Sequence, residues 1–229
     1  MKKIILGITG IRSEYDIMSS VFYEIISRQN LELKLVVTGA HLSSKFGMTV
    51  KEIEKDGFCI AKKIKSYQSS DTLSSRVKGM GVQLQKISQA INEISPDFII
   101  VLGDREEALT AAILSSYMNI PLIHIGGGDR AIGNVDDQVR HAVTKLAHIH
   151  FVTNIESKKR VIKLGEQKFR IFNYGNPGID RLIKTKKIKL NSIVEVSNFI
   201  RNENEKYLVL IQHPVSSEFK LAQKQIKIT

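Results

Sequence analysis

Acidic side chains bunch at three places in the middle of the chain. They are Asp104-Arg105-Glu106-Glu107, Gly128-Asp129-Arg130 and Asp136-Asp137, with Arg140 and His141 one turn later. Carboxylates drawn from separate elements and interleaved with arginines suit proton-transfer chemistry. One carboxylate can take a proton while a second returns one, and cations absorb the charge that develops. Two of these residues also suit a plainer role. Asp104 could cap a helix, with Glu107 at the third helical position, and Asp136 could cap the helix that carries Arg140 and His141. Arg140 and His141 could orient the carboxylates or touch a substrate, or simply form a salt bridge on the helix surface.

These residues need a scaffold that presents them together. Phe98–Leu102 and Ile120–Ile125 have the length and Ile/Val/Leu content of buried strands. Each ends in a polar burst, and open α/β sheets bind ligands outside the carboxyl ends of their strands. The same alternation runs along the chain. Strands are expected at Lys3–Ile8, Leu31–Val37, Phe58–Ile64, His148–Thr153 and Arg170–Tyr174. Helices are expected at Tyr15–Ser27, at Asp71–Ile94 with Asp71 as its cap, and at Ile155–Leu164 between Asn154 and Gly165. This is the pattern of an α/β fold with a parallel sheet covered on both faces. Gly79 and Gly81 inside the long helix suggest a kink or the close approach of a ligand.

The strand-to-helix turn Thr9-Gly10-Ile11-Arg12-Ser13-Glu14 carries neither GxGxxG nor a Walker loop, which disfavours a standard dinucleotide or P-loop site. A helix N-terminus there would still favour an anion. His41, at the end of the second strand, suits either a structural histidine or a ligand contact.

Composition narrows the classes. With 229 residues, 42% of them hydrophobic, the chain can build one large α/β domain and part of another. No apolar run approaches the roughly 18 residues of a membrane span, and Met1-Lys2-Lys3 with Ile4–Ile8 is too short for a signal peptide. A lone cysteine, Cys59, and the lack of Cys/His zinc spacing argue against disulfides and metal and fit the cytoplasm. The net charge of +11 is scattered rather than clustered with aromatics, which disfavours nucleic acid and suits an anionic small substrate. Beyond residue 183 the composition turns Lys/Asn/Glu-rich. A helix is expected at Ser192–Ile200, a new strand at Tyr207–Ile211, and a helical pattern from Phe219 to Thr229.

Seven motifs in order resemble the UDP-N-acetylglucosamine 2-epimerase family, in its hydrolysing, sialic-acid-pathway branch. They are Thr9–Tyr15, Val37-Thr38-Gly39-Ala40-His41, Val101–Arg105, Ile120–Asp129, Asp136–Lys145, Gly175-Asn176-Pro177-Gly178 and Gln212-His213-Pro214. The resemblance implies a Rossmann-like parallel-sheet domain forming the first half of a glycosyltransferase-B-type two-domain fold, with the second domain incomplete. Expected boundaries are 1–183 for the first domain, 184–206 for a linker region, and 207–229 for the start of a truncated second domain. It further implies a UDP-sugar partner, no cofactor, and a homo-oligomer in the full-length form.

The implied reaction removes the C2 proton while UDP leaves C1, then hydrates the resulting glucal with inverted C2 configuration. Free N-acetylmannosamine or a related 2-epimerised amino sugar would result. Alternatives are a non-hydrolysing epimerase and a non-catalytic nucleotide-sugar-binding fragment. By resemblance Asp104, Asp136 and Asp129 are the catalytic candidates. Arg12, Glu14, His41, Arg105, Arg140, His141 and His213 are the substrate-binding ones, with no metal. Gly126 stands where many hydrolysing relatives carry a glutamate and some a histidine.

Overall fold

The computed structural model describes residues 1–68, 72–131, 135–185, 206, 208–213 and 216–229. Seven parallel strands form one sheet: β1 (Lys3–Thr9), β2 (Leu31–Thr38), β3 (Ile60–Ile64), β4 (Phe98–Leu102), β5 (Leu122–Ile125), β6 (Ile149–Val152) and β7 (Ile171–Asn173), in the order β3-β2-β1-β4-β5-β6-β7. Every expected strand up to residue 174 is present. The connecting helices are α1 (Arg12–Ser27), α2 (Val50–Lys55), α3 (Leu73–Ile94), α4 (Glu106–Tyr117), α5 (Asp136–Leu146), α6 (Ile155–Lys163) and α7 (Pro177–Lys184). The chain divides into two compact units, Met1–Arg181 and Leu182–Thr229.

Within the first unit the sheet is buried on both faces, which is why its strands are continuous apolar runs. Alternate residues of one strand serve opposite layers. Leu6 and Ile8 pack with Ile99, Val101, Ile87 and Ala111 under α3 and α4. Ile5 packs with Leu33, Leu35, Tyr15, Met18 and Phe22 under α1. Because α1 and α4 lie on opposite faces, the strand order reverses between β1 and β4. That reversal opens a crevice beyond the carboxyl ends of the strands.

Several local expectations change. Helix α1 begins at Arg12, three residues before Tyr15, with Ile11 in the cap position and no side-chain cap. Helix α3 is capped by Thr72, whose hydroxyl accepts from the Ser75 amide at 3.2 Å; Asp71 lies outside the described residues. Gly79 admits the close approach of a backbone, because a Cβ there would stand 2.8 Å from the Ser66 carbonyl oxygen, and it borders a cavity of about 340 Å³. In the second unit, Ser216–Leu221 forms 3-10 turns and Ala222–Ile228 a helix, α8. The strand expected at Tyr207–Ile211 does not form over its described part. Among the described residues Leu208–Ile211 has no ladder partner, and it is exposed, from 70% to 99%; a strand without a ladder leaves its backbone to water. The helix expected at Ser192–Ile200 lies outside the described residues.

Candidate active site

The carboxyl ends of β4 and β5 and the segments that follow β6 and β7 meet the first turn of α1 around a cavity of about 310 Å³. Its lining includes Glu14, Asp104, Arg105, Gly126, Asp129, Asp136 and Arg140. Of the ten residues singled out in the sequence, this cavity gathers Asp104, Asp129, Asp136, Glu14, Arg105 and Arg140. Asp104 and Asp136 also border a neighbouring cavity of about 220 Å³ whose other walls include Leu73, Val77, Met80 and Val139.

Arg140 organises the rim. It projects from the second turn of α5, is nearly buried, and pairs with Asp104 through Nη2. Its Nη1 donates to the Gly126 carbonyl at 2.9 Å and lies 3.9 Å from Asp129 Oδ2. One guanidinium therefore spans two carboxylates and the turn between β5 and α5. It is thus no surface salt bridge, for the guanidinium faces the carboxylates of the cavity.

Neither aspartate acts as a helix cap. Arg105 holds the cap position of α4, and Asp104 precedes it, turned to Arg140. Val135 holds the cap position of α5, and Asp136 is its first helical residue. Asp129 is tethered from the far side, its Oδ1 accepting from the hydroxyls of Thr153 (2.7 Å) and Ser157. Its Oδ2 is left for the cavity.

The turn Gly126-Gly127-Gly128 explains how Asp129 reaches this place. Gly128 has φ +79°, and a Cβ there would collide with the Ser157 carbonyl of α6, so only glycine lets the turn lie against that helix. Gly126 differs. A Cβ at that position would meet Arg140 Nη1, Asp129 Oδ2 and the Gly103 amide only at 3.7–3.9 Å, ordinary contact distances facing the cavity. His124, buried on β5, fixes the neighbouring turn by donating Nε2–H to the Gly103 carbonyl at 2.8 Å. Burial lowers its pKa to about 4, so the ring is neutral.

The crevice at the start of α1, where an anion was expected, already holds acidic side chains of the chain itself. Glu14 Oε2 accepts from the Gly10 amide at 3.2 Å, and the Glu107 carboxyl lies against Gly10 from the α4 side. Both residues are buried. Burial, and after it the Glu107 charge, pushes Glu14 up to about 8, so its carboxyl is protonated at neutral pH. Glu107 is raised as well, first by burial, with Arg105 pulling against it.

Four sequence candidates lie elsewhere. His41 is fully buried, hydrogen-bonded through Nε2 to the Thr9 hydroxyl (3.1 Å) and through Nδ1 to that of Thr49 (2.8 Å). With burial taking it down to about 4, it is a neutral clamp between β1 and the segment before α2, and not the substrate contact expected. Arg12 is exposed and faces Asp16 at 3.7 Å. His141 is half-buried outside the cavity lining, its Nδ1 without a hydrogen-bond partner. His213 belongs to the second unit, where it is exposed.

Glu107 is the residue that sequence reasoning undervalued. The signal available was a pair of glycines, Gly10 and Gly39, just past the ends of the first two strands and a carboxylate just past a third. Among the described residues no group of three His, Cys, Asp or Glu side chains is placed to hold a metal, and no helix is long and apolar enough to cross a membrane.

An acid-lined crevice on a Rossmann-like parallel sheet defines the class of this protein. Comparison with known proteins defines the family. The model of the UDP-N-acetylglucosamine 2-epimerase family matches residues 24–227, and the chain belongs to that family. It is 36% identical over 226 residues to the GDP/UDP-N,N'-diacetylbacillosamine 2-epimerase (hydrolyzing) of Campylobacter jejuni, covering 99% of this chain and 58% of that protein. It is 37% identical over 218 residues to the UDP-N,N'-diacetylbacillosamine 2-epimerase (hydrolyzing) of Legionella pneumophila, covering 95% and 57%. The crystal structure of the Neisseria meningitidis UDP-GlcNAc 2-epimerase bound to UDP-GlcNAc shares the fold, with a TM-score of 0.70 at 20% identity over 79% of this chain and 48% of that one. The chain thus spans about half the length of the relatives it matches. Its sheet is the first Rossmann-like half of their glycosyltransferase-B-type architecture.

Proposed function

We propose that this chain carries the acid–base half of a hydrolysing nucleotide-sugar 2-epimerase. The observation that carries the reading is the single cavity that joins Asp104, Asp129 and Asp136 to Arg105 and Arg140. The names of the Campylobacter and Legionella relatives support the hydrolysing outcome. The substrate is a UDP-linked 2-acetamido sugar, UDP-N-acetylglucosamine or its diacetylbacillosamine counterpart. The products are UDP and a free sugar inverted at C2, of the kind used in sialic-acid-like sugar synthesis.

Inversion at C2 needs a proton removed from one face of the ring and returned to the other, hence two acid/base groups from different directions. Asp104, at the end of β4, and Asp136, on α5, are the proposed pair. Asp129 is the third carboxylate, positioned by Thr153 and Ser157 beside the gap at Gly126. Arg105 and Arg140 counter the charge that grows on the departing pyrophosphate. Protonated Glu14 offers a hydrogen bond to the substrate rather than a further negative charge. The 1–183 domain takes the sugar, a second domain takes the nucleotide, and the full-length form assembles as a homo-oligomer in the cytoplasm.

The test is incubation with each UDP-sugar in deuterated water, followed by proton and phosphorus NMR. It is run on this chain and on this chain joined to the C-terminal remainder of the Campylobacter relative. UDP release with a free sugar deuterated at C2 is the expected result. Exchange that returns an intact epimeric UDP-sugar would replace the reading with a non-hydrolysing epimerase. A second reading, nucleotide-sugar binding without turnover, is favoured by Gly126, which removes a side chain facing the cavity. Binding by calorimetry with neither release nor exchange would establish that reading instead.

A further inference from the structure

Glu107 plays no part in the acid–base scheme, yet it is the most deeply buried carboxylate bordering the cavity's arginine. It is 3% exposed, and among the described residues its Oε2 accepts no hydrogen bond. Three segments close around it. A Cβ at residue 10 would collide with the Glu107 carboxyl, and one at residue 39 would come within 2.5 Å of its Oε1. The segment after β2 is tied to the same turn, since the His41 amide donates to the Gly10 carbonyl at 3.1 Å. Gln83 of α3 approaches the carboxyl from the other side and lowers its pKa, and Gln83 is itself held by Ser66 and Thr110 at 3.1 Å each. Arg105 supplies the nearest cation, its Nε 3.6 Å from Glu107 Oε2.

A buried charge with so little compensation is costly unless it holds other groups in place. We propose that Glu107 is a positioning residue for the cavity. Seated against Gly10 and Gly39, it sets the distance between the first turns of α1 and α4, and so the places of Glu14 and Arg105 on the cavity wall. The inference rests on reading the cavity as the reaction site. Toward this cavity the residue acts through others, because Glu107 is absent from its lining while Glu14 and Arg105 belong to it; Glu107 itself borders a separate cavity of about 340 Å³, together with Gln83 and Arg105.

The charged groups that face this assembly are Glu14 from α1, Arg105 and Glu106 from the start of α4, Arg76 of α3 through its pairing with Glu106, and Asp136 of α5 through its attraction for Arg105. With Glu107 neutralised, Arg105 has Glu106 as its remaining close partner, at 3.4 Å. Glu14 then loses the like charge that hinders its ionisation.

The experiment is a carbon-13 carboxyl NMR titration of the whole 229-residue chain and its variants, with the sugar-exchange assay alongside. Glu107→Gln keeps the volume and is expected to lower the Glu14 midpoint by about one pH unit, a tenfold loss in proton affinity. Gly10→Ala, which evicts the carboxyl from its seat, is expected to move it in the same direction. Glu107→Asp should restore part of the shift. In the exchange assay Glu107→Gln should lower kcat about tenfold while KM changes by less than roughly threefold, the pattern of lost positioning. A Glu14 midpoint unmoved in both Glu107→Gln and Gly10→Ala would overturn the proposal. If one of these two variants fails to fold by circular dichroism, the other decides, and an unmoved midpoint there overturns the proposal. Absence of exchange in the parent chain would count against the functional reading alone, since the titration needs no substrate.

Discussion

Two groups of carboxylates stand within a few residues of each other in this molecule, and they are built in opposite ways. Glu14 and Glu107 are buried at the strand-order reversal, packed against glycines. Asp104, Asp129 and Asp136 sit on an open rim, where one arginine spans Asp104 and Asp129 and two hydroxyls tether Asp129. Burial turns the first pair into protonation-sensitive structure, because desolvation raises both, with the Glu107 charge adding to the rise at Glu14 and the Glu106 charge to that at Glu107. Access to the cavity, with a guanidinium across the rim, leaves the second group available for chemistry. The difference teaches that acidity in this crevice is divided by depth, with buried carboxyls on the floor and cavity-facing carboxylates on the rim.

The sharpest way to break that division is at the rim. Asp104→Asn should leave the fold intact, since the amide oxygen can still accept from Arg140. It should cut UDP release and C2 exchange by about a hundredfold or more, the usual contribution of an acid/base group. The exchange assay measures the loss, and circular dichroism checks the fold. Undiminished turnover would remove Asp104 from the mechanism.

The floor should answer to pH instead. Glu14 titrates near 8 in the folded chain, against a reference value of 4.5. Between those values the folded state holds a proton that the unfolded state has lost, so stability is fully present below about pH 4.5 and declines as pH rises through 8. The lowered His41 and His124 act in the opposite sense, their contribution being lost as pH falls below 6.5 toward 4. The quantity to measure is therefore the difference between parent and Glu14→Gln in thermal midpoint from pH 5 to 8.5. The parent should lose at least about 1 kcal/mol relative to the variant across that range, roughly 2–4 °C for a chain of this size. Parallel pH profiles would show that Glu14 is not a buried acid.

His41 tests the same boundary from the structural side. His41→Ala strips both Thr9 and Thr49 of a buried partner and opens a cavity, which should cost about 2–4 kcal/mol in urea unfolding. The KM for the UDP-sugar should hardly change, because the ring lies outside the cavity. A large rise in KM at unchanged stability would return His41 to the substrate side.

How much of this could be seen in advance depended on whether the information was local. Strands such as Ile99–Val101 and Lys3–Thr9 announce themselves because parallel strands buried on both faces must be continuously apolar. Asp104, Asp129 and Asp136 could be brought together on paper because strand carboxyl ends converge by topology. His41 and Glu107 could not be sorted that way. Each is a polar residue just past a strand, and only the three-dimensional closeness of Gly10 to residues 39–41 and 107 decides that both are inward-facing. The start of α1 was missed for a related reason. Ile11 caps it without a side-chain hydrogen bond, so no residue type marks the boundary. Leu208–Ile211 shows the converse, an apolar run with strand character that pairs with no strand among the described residues.

Gly126 offers the finest test, because it lies where rim and backbone constraint meet. Its φ of +79° favours glycine, so any side chain pays a strain of order 1 kcal/mol. Yet the space ahead of it is free to 3.7 Å, and the nearest groups are Arg140 Nη1 and Asp129 Oδ2. A carboxylate introduced there would draw on the same guanidinium that orients Asp104 and would repel Asp129. Gly126→Glu should thus alter turnover several-fold while UDP-sugar affinity stays within about twofold, the signature of a group felt mainly in the transition state. Calorimetry and the exchange assay together separate the two quantities. Unchanged kinetics in a folded variant would mean that the β5–α5 turn does not face the reacting carbon, and the rim would then reduce to Asp104 and Asp136.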